Sequence, residues 1–435
     1  MTLVPLSRNR NYTLLWGSQA LSVAGFSASV IALPLLVLAV TGSPAVSGLV
    51  LGVDAMAQLV AGLPAGALAD RWNRKKIMLG CEAAQAVAVG SLAAAVWWDA
   101  VSTAHVVVVA AVMGVCRSLF GPAEGATVAR IVPQAQLPTA VAMNSARGAV
   151  GQLAGTAVGG FLYALGRAVP FAFNVATHLI SFVALLFLRA PHHRAEVPSG
   201  GHLGREMAEG LRWVWRERHV RVTVLCAVSL NFFFSAYYIV IVVLAKDRGV
   251  PSGEIGVMAA MLGVGGVAGS LAAPYLQRRI SPYVSIMGVF WVLTALTPLA
   301  VFITGDGYLM GALFVAMSLL PPTANTTIGT YQLLLTPDRL RGRLTSVMGV
   351  IGGVSAATGP AFGGLLVQAV PGPGAVVLCT AGIAAITLVV TFSPTLRRFP
   401  RSEDIVLERP EAAPAGRPSP APADPRRDEK RGNPT

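Results

Sequence analysis

The segment Gly66-Ala-Leu-Ala-Asp70-Arg71-Trp-Asn73-Arg74-Lys75-Lys76 puts four cations within six residues and joins two apolar stretches, 45–69 and 77–98. A basic connector bracketed by apolar runs of that length stays on one side of a bilayer, because Lys and Arg bias a loop against translocation. Outward from it the pattern repeats. Apolar stretches occur at 12–40, 45–69, 77–98, 104–129, 139–165, 169–189, 221–245, 254–276, 283–304, 307–335, 344–370 and 372–393. Each is near the ~20 residues a helix needs to cross the hydrocarbon layer. Of the 33 Lys and Arg, 28 lie in the tails and in connectors on the side of 66–76; Arg167, Lys246 and Arg248 lie on the other side, and Arg117 and Arg147 lie inside apolar stretches. The expectation is a multi-pass protein of the cell inner (cytoplasmic) membrane with both termini cytoplasmic.

Composition agrees. Hydrophobic residues make up 54% of the chain and charged residues 12%, against about 25% charge in a typical soluble domain. The net charge of +13 does not point to nucleic acid, because the cations are scattered over connectors rather than gathered in a stripe. The inside rule and anionic lipid account for such a distribution. Cys81, Cys116, Cys226 and Cys379 sit in apolar stretches without short spacing and read as small buried hydrophobes, not disulfides or metal ligands. The first apolar stretch is too long for a cleavable signal peptide and lacks a clear cleavage site. With no nucleotide-binding loop, metal-spaced His/Cys set or nucleophile constellation, an enzyme and a bound cofactor are not expected, and work must be driven by a gradient.

A polar stretch at 190–220 separates a half of six helices (1–189) from a second half of six (221–393), and a tail at 394–435, rich in Pro, Ala, Arg and Asp, reads as disordered. Within the polar stretch, Gly204 to Glu217 sets Met207, Leu211 and Val214 on one face, the spacing of an amphipathic helix lying along the cytoplasmic surface. The halves repeat. A shift of 204 lays Gly125, Pro133, Gly148, Gly155, Gly159, Gly160 and Leu162 on Gly329, Pro337, Gly352, Gly359, Gly363, Gly364 and Leu366 without a gap. A shift of 203 lays Gly66-Ala-Leu-Ala69 on Gly269-Ser-Leu-Ala272. Parallel six-helix repeats about an axis along the membrane normal place a substrate site between the halves. The fold class is therefore an all-α integral membrane protein of twelve transmembrane helices in two six-helix repeats.

Gly66 to Lys76 resembles the loop signature of the major facilitator superfamily, G-x-L-a-D-R-x-G-R-K, with Asn73 where the family usually has Gly. Asn tolerates positive φ better than most residues, so the turn is expected to survive. The resemblance implies that Gly66, Asp70, Arg71, Arg74 and Lys75 latch the halves together in the outward-facing state. Leu6 to Leu15, Pro122 to Leu137, Gly159-Gly-Phe-Leu162 and Glu209-Gly-Leu-Arg-Trp213-Val-Trp are similar to the drug:proton antiporter branch that includes enterobactin exporters and macrolide efflux proteins. That similarity implies proton-driven export of a bulky amphipathic compound.

Ionisable groups at membrane depth are costly and mark function by default. The first half holds Asp54, Glu82, Arg117, Glu124 and Arg147; the second half has essentially none away from its helix ends. At ~1.5 Å per residue, Asp54 and Arg117 fall at similar depth, as do Glu124 and Arg147, so two ion pairs are expected. Arg117-Ser-Leu-Phe-Gly121 also resembles the superfamily's R-x-x-x-G motif, whose Arg is linked to proton transfer. Low dielectric favours a neutral carboxyl and a nearby guanidinium favours the ionised one, so a small displacement can switch Glu124 or Asp54; the competing reading is a permanent pair that fixes packing. Glu82, near the cytoplasmic end of its helix, is expected to reach water, and His178 reads as a satisfied buried histidine.

Gly151-x3-Gly155-x3-Gly159-Gly160 sets small residues on one helix face for close packing. Gly359-Pro360-Ala-Phe-Gly363-Gly364 resembles the antiporter motif G-P-x-x-G-G, but sits in the eleventh helix, while the fifth has Thr156 where Pro is expected. Candidates for the cavity lining are Gln19, Asn231, Ser235, Tyr238, Asn325 and Tyr331, polar or aromatic groups suited to an amphipathic ligand. The whole reading is a monomeric exporter of a drug-like or secondary-metabolite compound. Its partners are that compound, protons and the lipid bilayer, with no nucleic acid. A facilitator or importer of a small metabolite, and a membrane sensor that no longer transports, are the alternatives.

Overall fold

The computed structural model describes residues 5–189, 203–303, 305–336, 338–370 and 372–397; the tail beyond 397 and the part of the polar stretch at 190–202 lie outside them. The first half consists of α1 (Arg10–Thr41), α2 (Pro44–Arg71), α3 (Arg74–Trp97), α4 (Thr103–Ile131), α5 (Leu137–Leu165) and α6 (Val169–Leu186). A connecting helix, α7 (Leu203–Arg216), leads to α8 (Arg218–Asp247) and α9 (Ser252–Arg279). The next two spans are each broken: α10 (Pro282–Leu296) with α11 (Ala300–Ile303), and α12 (Gly307–Ser318) with α13 (Pro321–Leu335). The chain then forms α14 (Asp338–Ala369), α15 (Pro373–Phe392) and the short α16 (Pro394–Arg397). Among the described residues, twelve helical spans are long and apolar enough to cross a membrane. The protein is an all-α, multi-pass membrane protein.

Local chemistry sets the boundaries. Ser43, Asn73, Ser102 and Ser281 each accept a hydrogen bond from a backbone N–H in the first turn of the helix that follows, satisfying donors that a helix start leaves unpaired. Asn73 has φ −66° and caps α3 by accepting from Lys76 N at 3.2 Å. The expected positive φ is therefore wrong; Asn suits the position as a cap, not as a glycine substitute. Pro298 and the Pro321-Pro322 pair lack the N–H that a continuous helix requires, and there two stretches expected to be single helices break.

In lipid no hydrophobic force draws helices together, so close approach rests on small residues. In the first half α1 packs on α5 and α6, α2 on α4, and α3 on α4 and α6; in the second, α8 packs on α14 and α9 on α12. A Cβ placed on Gly159 would lie 2.6 Å from Ala28 Cα, and one on Gly155 2.8 Å from Ala24 Cα, so α5 meets α1 backbone to backbone. The repeat mates do the same: Gly359 abuts Phe232 O and Gly363 abuts Ala236 of α8.

The halves meet through α2 with α14 and α5 with α9. These contacts are closest at the end of the bundle away from Gly66–Lys76, called here the far end. Gly160 touches Gly256, Gly48 touches Pro360, and Gly364 touches Pro44 and Ala45. Gly160 and Gly364 are the pair related by 204 residues, so both seams of the seal use the same repeat position.

One buried polar cluster ties α1, α3 and α6 together. Glu82 and His178 are each 1% exposed, with Glu82 Oε2 2.6 Å from His178 Nδ1. Glu82 Oε1 accepts from Gln19 Nε2 at 2.8 Å and from Ser181 Oγ at 2.7 Å. Glu82 therefore does not reach water, and Gln19 faces this carboxylate rather than a cavity. At the other end of the chain, Val214 of α7 is buried against Val220, Val224, Leu344 and Val347, whereas Leu211 is 42% exposed. The Met207 side chain lies outside the described residues.

This packing makes stability sensitive to single side chains. Gly159→Leu or Gly363→Leu drives a side chain into backbone, which costs about 1–3 kcal/mol or more, whereas Gly80→Ala adds a Cβ where nothing lies within 4 Å. Thermal unfolding in detergent should show a fall of several degrees for the first two variants and no loss for the third. Glu82→Ala leaves His178 without its carboxylate and should cost about 3–5 kcal/mol. The double variant Glu82→Leu/His178→Leu should recover much of that; equal losses in single and double variants would mean the two side chains do not act as a pair.

Candidate substrate cavity and intramembrane ion pairs

Below the far-end seal, the space between the halves holds two lobes. One, of about 620 Å³, is lined by α5, α8, α9 and α13, among them Gln152, Thr156, Asn231, Phe234, Ser270 and Asn325. Its lining side chains carry no charge. The other, of about 490 Å³, is lined by α1, α2, α4, α5 and α14, including Phe26, Ser27, Asp54, Arg117 and Pro360. Gln152 and Thr156 of α5 line both lobes. The fifth-helix glycine face turns to α1, which leaves these two neighbouring polar positions to face the inter-half space.

The second lobe carries the charge. Arg117 Nη2 lies 3.4 Å from Asp54 Oδ2, with the arginine side chain 37% exposed and the aspartate 17%. The same nitrogen donates to Gln58 Oε1 at 2.6 Å, and the guanidinium sits over the Phe26 ring at 4.4 Å from its centroid. Charge-assisted N–H···O bonds usually fall near 2.7–2.9 Å, so Gln58, not Asp54, has the tighter hold on Arg117. Asp54 Oδ1 and Arg117 Nε have no hydrogen-bond partner among the described residues. This is a loosely engaged pair in a cavity wall.

The second pair is tight. Arg147 Nη1 lies 2.7 Å from Glu124 Oε1, and both side chains are largely buried. It joins α4 to α5 on the basic side of the charged lobe. Close by, Tyr12 Oη donates within reach of Ala140 O at 3.3 Å and Asn144 Oδ1 at 3.4 Å. Arg117 and Glu124 are seven residues apart on α4, two turns along one face, so this helix connects the cavity wall to the buried pair.

Of the six candidate lining residues, Asn231 and Asn325 line the neutral lobe. Gln19 is engaged by Glu82. Ser235 packs against Gly359 of α14. Tyr238 stacks on Phe314 with ring centroids 6.2 Å apart, and Tyr331 is 3% exposed; none of these four lines either lobe. Sequence pattern alone does not single out Gln152, Phe234, Ser270 or Gln58. Gln152 and Thr156, four residues apart beside the Gly151–Gly155–Gly159 face, are the signal that could have found the wall.

In the basic connector, Arg74 Nη1 donates to Ala126 O at 3.2 Å and Lys75 Nζ to Leu186 O and Leu188 O at 2.8 Å each. These bonds fasten the start of α3 to α4 and to the end of α6, within the first half. Gly66 and Arg71 are exposed; the Asp70 side chain lies outside the described residues.

Residues 15–282 and 223–426 match the profile of the Major Facilitator Superfamily. The chain is 26% identical over 420 residues to the multidrug efflux pump Tap of Mycobacterium tuberculosis, covering 90% of this chain and 95% of that one. It is 24% identical over 297 residues to macrolide efflux protein A of Streptococcus pyogenes, covering 66% of this chain and 73% of the relative. Among solved structures, the nucleoside transporter NupG superposes with TM-score 0.71 at 12% identity, over 90% of this chain and 100% of that one. A bacterial homolog of the human lysosomal transporter Spinster, in an inward-facing, unoccupied conformation, superposes with TM-score 0.64 at 16% identity, over 88% and 95%. A twelve-span helical bundle with an inter-half cavity, matched along almost its whole length by one family of carriers, is a transporter and not an enzyme: the chain belongs to the major facilitator superfamily.

Proposed function

We propose that the protein exports amphipathic drug-like or secondary-metabolite compounds across the cytoplasmic membrane by proton antiport. The observation that carries the reading is a cavity with one neutral and one charged lobe, sealed at the far end, with a loose Asp54–Arg117 pair in its wall and a tight Glu124–Arg147 pair beyond it. The names of the relatives, a multidrug efflux pump and a macrolide efflux protein, support the direction and the substrate class. The cation bias supports a cytoplasmic basic end and cytoplasmic termini; on that reading the cavity, sealed at the far end, faces inward to load a compound. One chain encloses both lobes, so a monomer suffices.

The proposed cycle uses charge. A proton on Glu124 removes the partner of Arg147, whose charge is costly at this depth unless it finds another acceptor. That imbalance favours a rearrangement of α4 and α5, and α5 carries the Gly160 seam as well as the Gln152 and Thr156 wall. Asp54 and Arg117 respond in the same way at the cavity. In the outward-facing state Gly66, Asp70, Arg71, Arg74 and Lys75 would latch the basic ends of the halves. The driving force is adequate: one proton moving down a potential of 100 mV releases about 2.3 kcal/mol, roughly a 40-fold concentration ratio of an uncharged compound.

The test uses inside-out vesicles with an acidified lumen and a pH-sensitive dye. Adding antibiotics, dyes or siderophores one at a time should release luminal protons for at least one compound. No release by any compound from folded, abundant protein would favour a facilitator or importer. Glu124→Gln should abolish ΔpH-driven transport while leaving substrate affinity within about threefold; retained antiport in that variant would remove Glu124 from the coupling. Arg117→Lys, which keeps the charge but loses the planar guanidinium that reaches both Asp54 and Gln58, should lower substrate affinity more than maximal rate.

A further inference from the structure

The neutral lobe is polar without being charged, and its polar groups are spent in one direction. Asn231 Nδ2 donates to Ala227 O at 2.8 Å. Ser145 Oγ donates to Val141 O at 3.1 Å, Ser270 Oγ to Gly266 O at 2.8 Å and Ser318 Oγ to Phe314 O at 2.6 Å. Each acceptor lies one turn earlier on the same helix. A hydroxyl has one hydrogen to give, so the three serines keep only acceptor lone pairs. The Asn231 amide, anchored by its nitrogen, keeps its oxygen and one N–H. All four side chains line the lobe, and Gln152 and Asn325, the other amides in the wall, can turn either end inward. The broken tenth span adds to this. Pro321 and Pro322 line the lobe and lack the N–H groups that would reach back to Met317 O and Ser318 O. The α12 helix ends at Ser318, in the same wall, with the negative end of its dipole.

We propose that the neutral lobe selects hydrogen-bond donors, and that it takes a primary ammonium on an apolar body while rejecting a quaternary one. An ammonium in a mostly apolar enclosure needs its N–H groups paired. Here oxygens of α5, α8, α9 and α12 stand around a space of about 620 Å³. A quaternary nitrogen carries the same charge but offers these oxygens no hydrogen, so it would desolvate them without pairing them. Nor does the lobe provide an aromatic cage, the usual host for a quaternary nitrogen; among the described residues Phe234 is the one aromatic side chain in its lining. A cation is thus recognised in this lobe by hydroxyl, amide and backbone oxygens, apart from the Asp54 carboxylate in the other. The inference rests on the reading of the inter-half cavity as the ligand site, and names what that site admits.

The test is binding, which needs no gradient. The full chain in lipid nanodiscs is titrated with 4-phenylbutylamine and with its N,N,N-trimethyl analogue, which carry the same single charge at pH 7. The primary amine should bind about tenfold more tightly, and the N,N-dimethyl analogue, which keeps one N–H, should fall between the two. Asn231→Leu and Ser270→Ala should each narrow the gap about threefold, and Ser270→Thr, which restores the hydroxyl, should widen it again. Equal or tighter binding of the trimethyl compound, binding of neither compound, or a gap unchanged in both lobe variants would overturn the inference. A gap lost in Asp54→Asn would do so too, by moving the recognition to the carboxylate. Absence of luminal proton release with the gap intact removes antiport alone, and absence of the gap with proton release intact removes this inference alone.

Discussion

Everything in this bundle depends on helices approaching until their backbones touch. In hydrocarbon, side chains gain nothing by leaving lipid for protein, so tight packing requires that no side chain intervene. The first half meets this at Gly155 and Gly159 against α1, and the second at Gly359 and Gly363 against α8. One residue further along each of α5 and α14, Gly160 and Gly364 turn to the other half and form the far-end seal. Each of these two helices is therefore packed on its own half by one face and on the opposite half by the next. The inter-half contact is closest where glycine, alanine and proline meet, and holds no salt bridge among the described residues. Such a seam can part without breaking an ion pair.

Charge is distributed by a different rule. The repeat is near-symmetric in its glycines and asymmetric in its ionisable groups, which are confined at membrane depth to the first half. There they occupy three environments: Asp54–Arg117 in the cavity wall, Glu124–Arg147 between α4 and α5, and Glu82–His178 sealed among α1, α3 and α6. Solvent access falls along that series. The loosest pair lines the cavity; in the most enclosed, Gln19 and Ser181 bond Glu82, while His178 Nε2 has no hydrogen-bond partner among the described residues, so His178 is only partly satisfied. Packing is thus shared between the halves, while the intramembrane ionisable pairs belong to one of them.

Span number is legible in the sequence because bilayer thickness acts on every segment alike. The helix-packing glycines are legible from spacing alone. The facing depths of Asp54 with Arg117 and of Glu124 with Arg147 also follow from the fixed rise of a helix. What is not legible depends on rotation about the helix axis. Glu82 lies near a helix end, a position that predicts contact with water, but its face turns inward to His178. Ser235 and Tyr238 share a face with Asn231, yet α14 and Phe314 cover them while Asn231 stays open. A lone sequence gives a residue's depth along a helix more readily than its direction, and cavity lining is a matter of direction. Asn73 differs for another reason: the glycine it replaces suggests a positive φ, whereas its own side chain makes it a helix cap.

The most direct test of alternating access about the glycine seams is a pair of spin-label distances in the full chain. Trp98 and Phe302 lie in opposite halves toward the far end, Trp72 and Tyr275 in opposite halves toward the basic end, and all four are more than half exposed. Labelled cysteines at 98 and 302, and in a second variant at 72 and 275, would be measured across a pH step that protonates carboxylates. The expected result is opposite movement: the far-end distance lengthens as the basic-end distance shortens. Distances that both stay fixed, or that lengthen together, would contradict a rocking of two rigid halves about these seams.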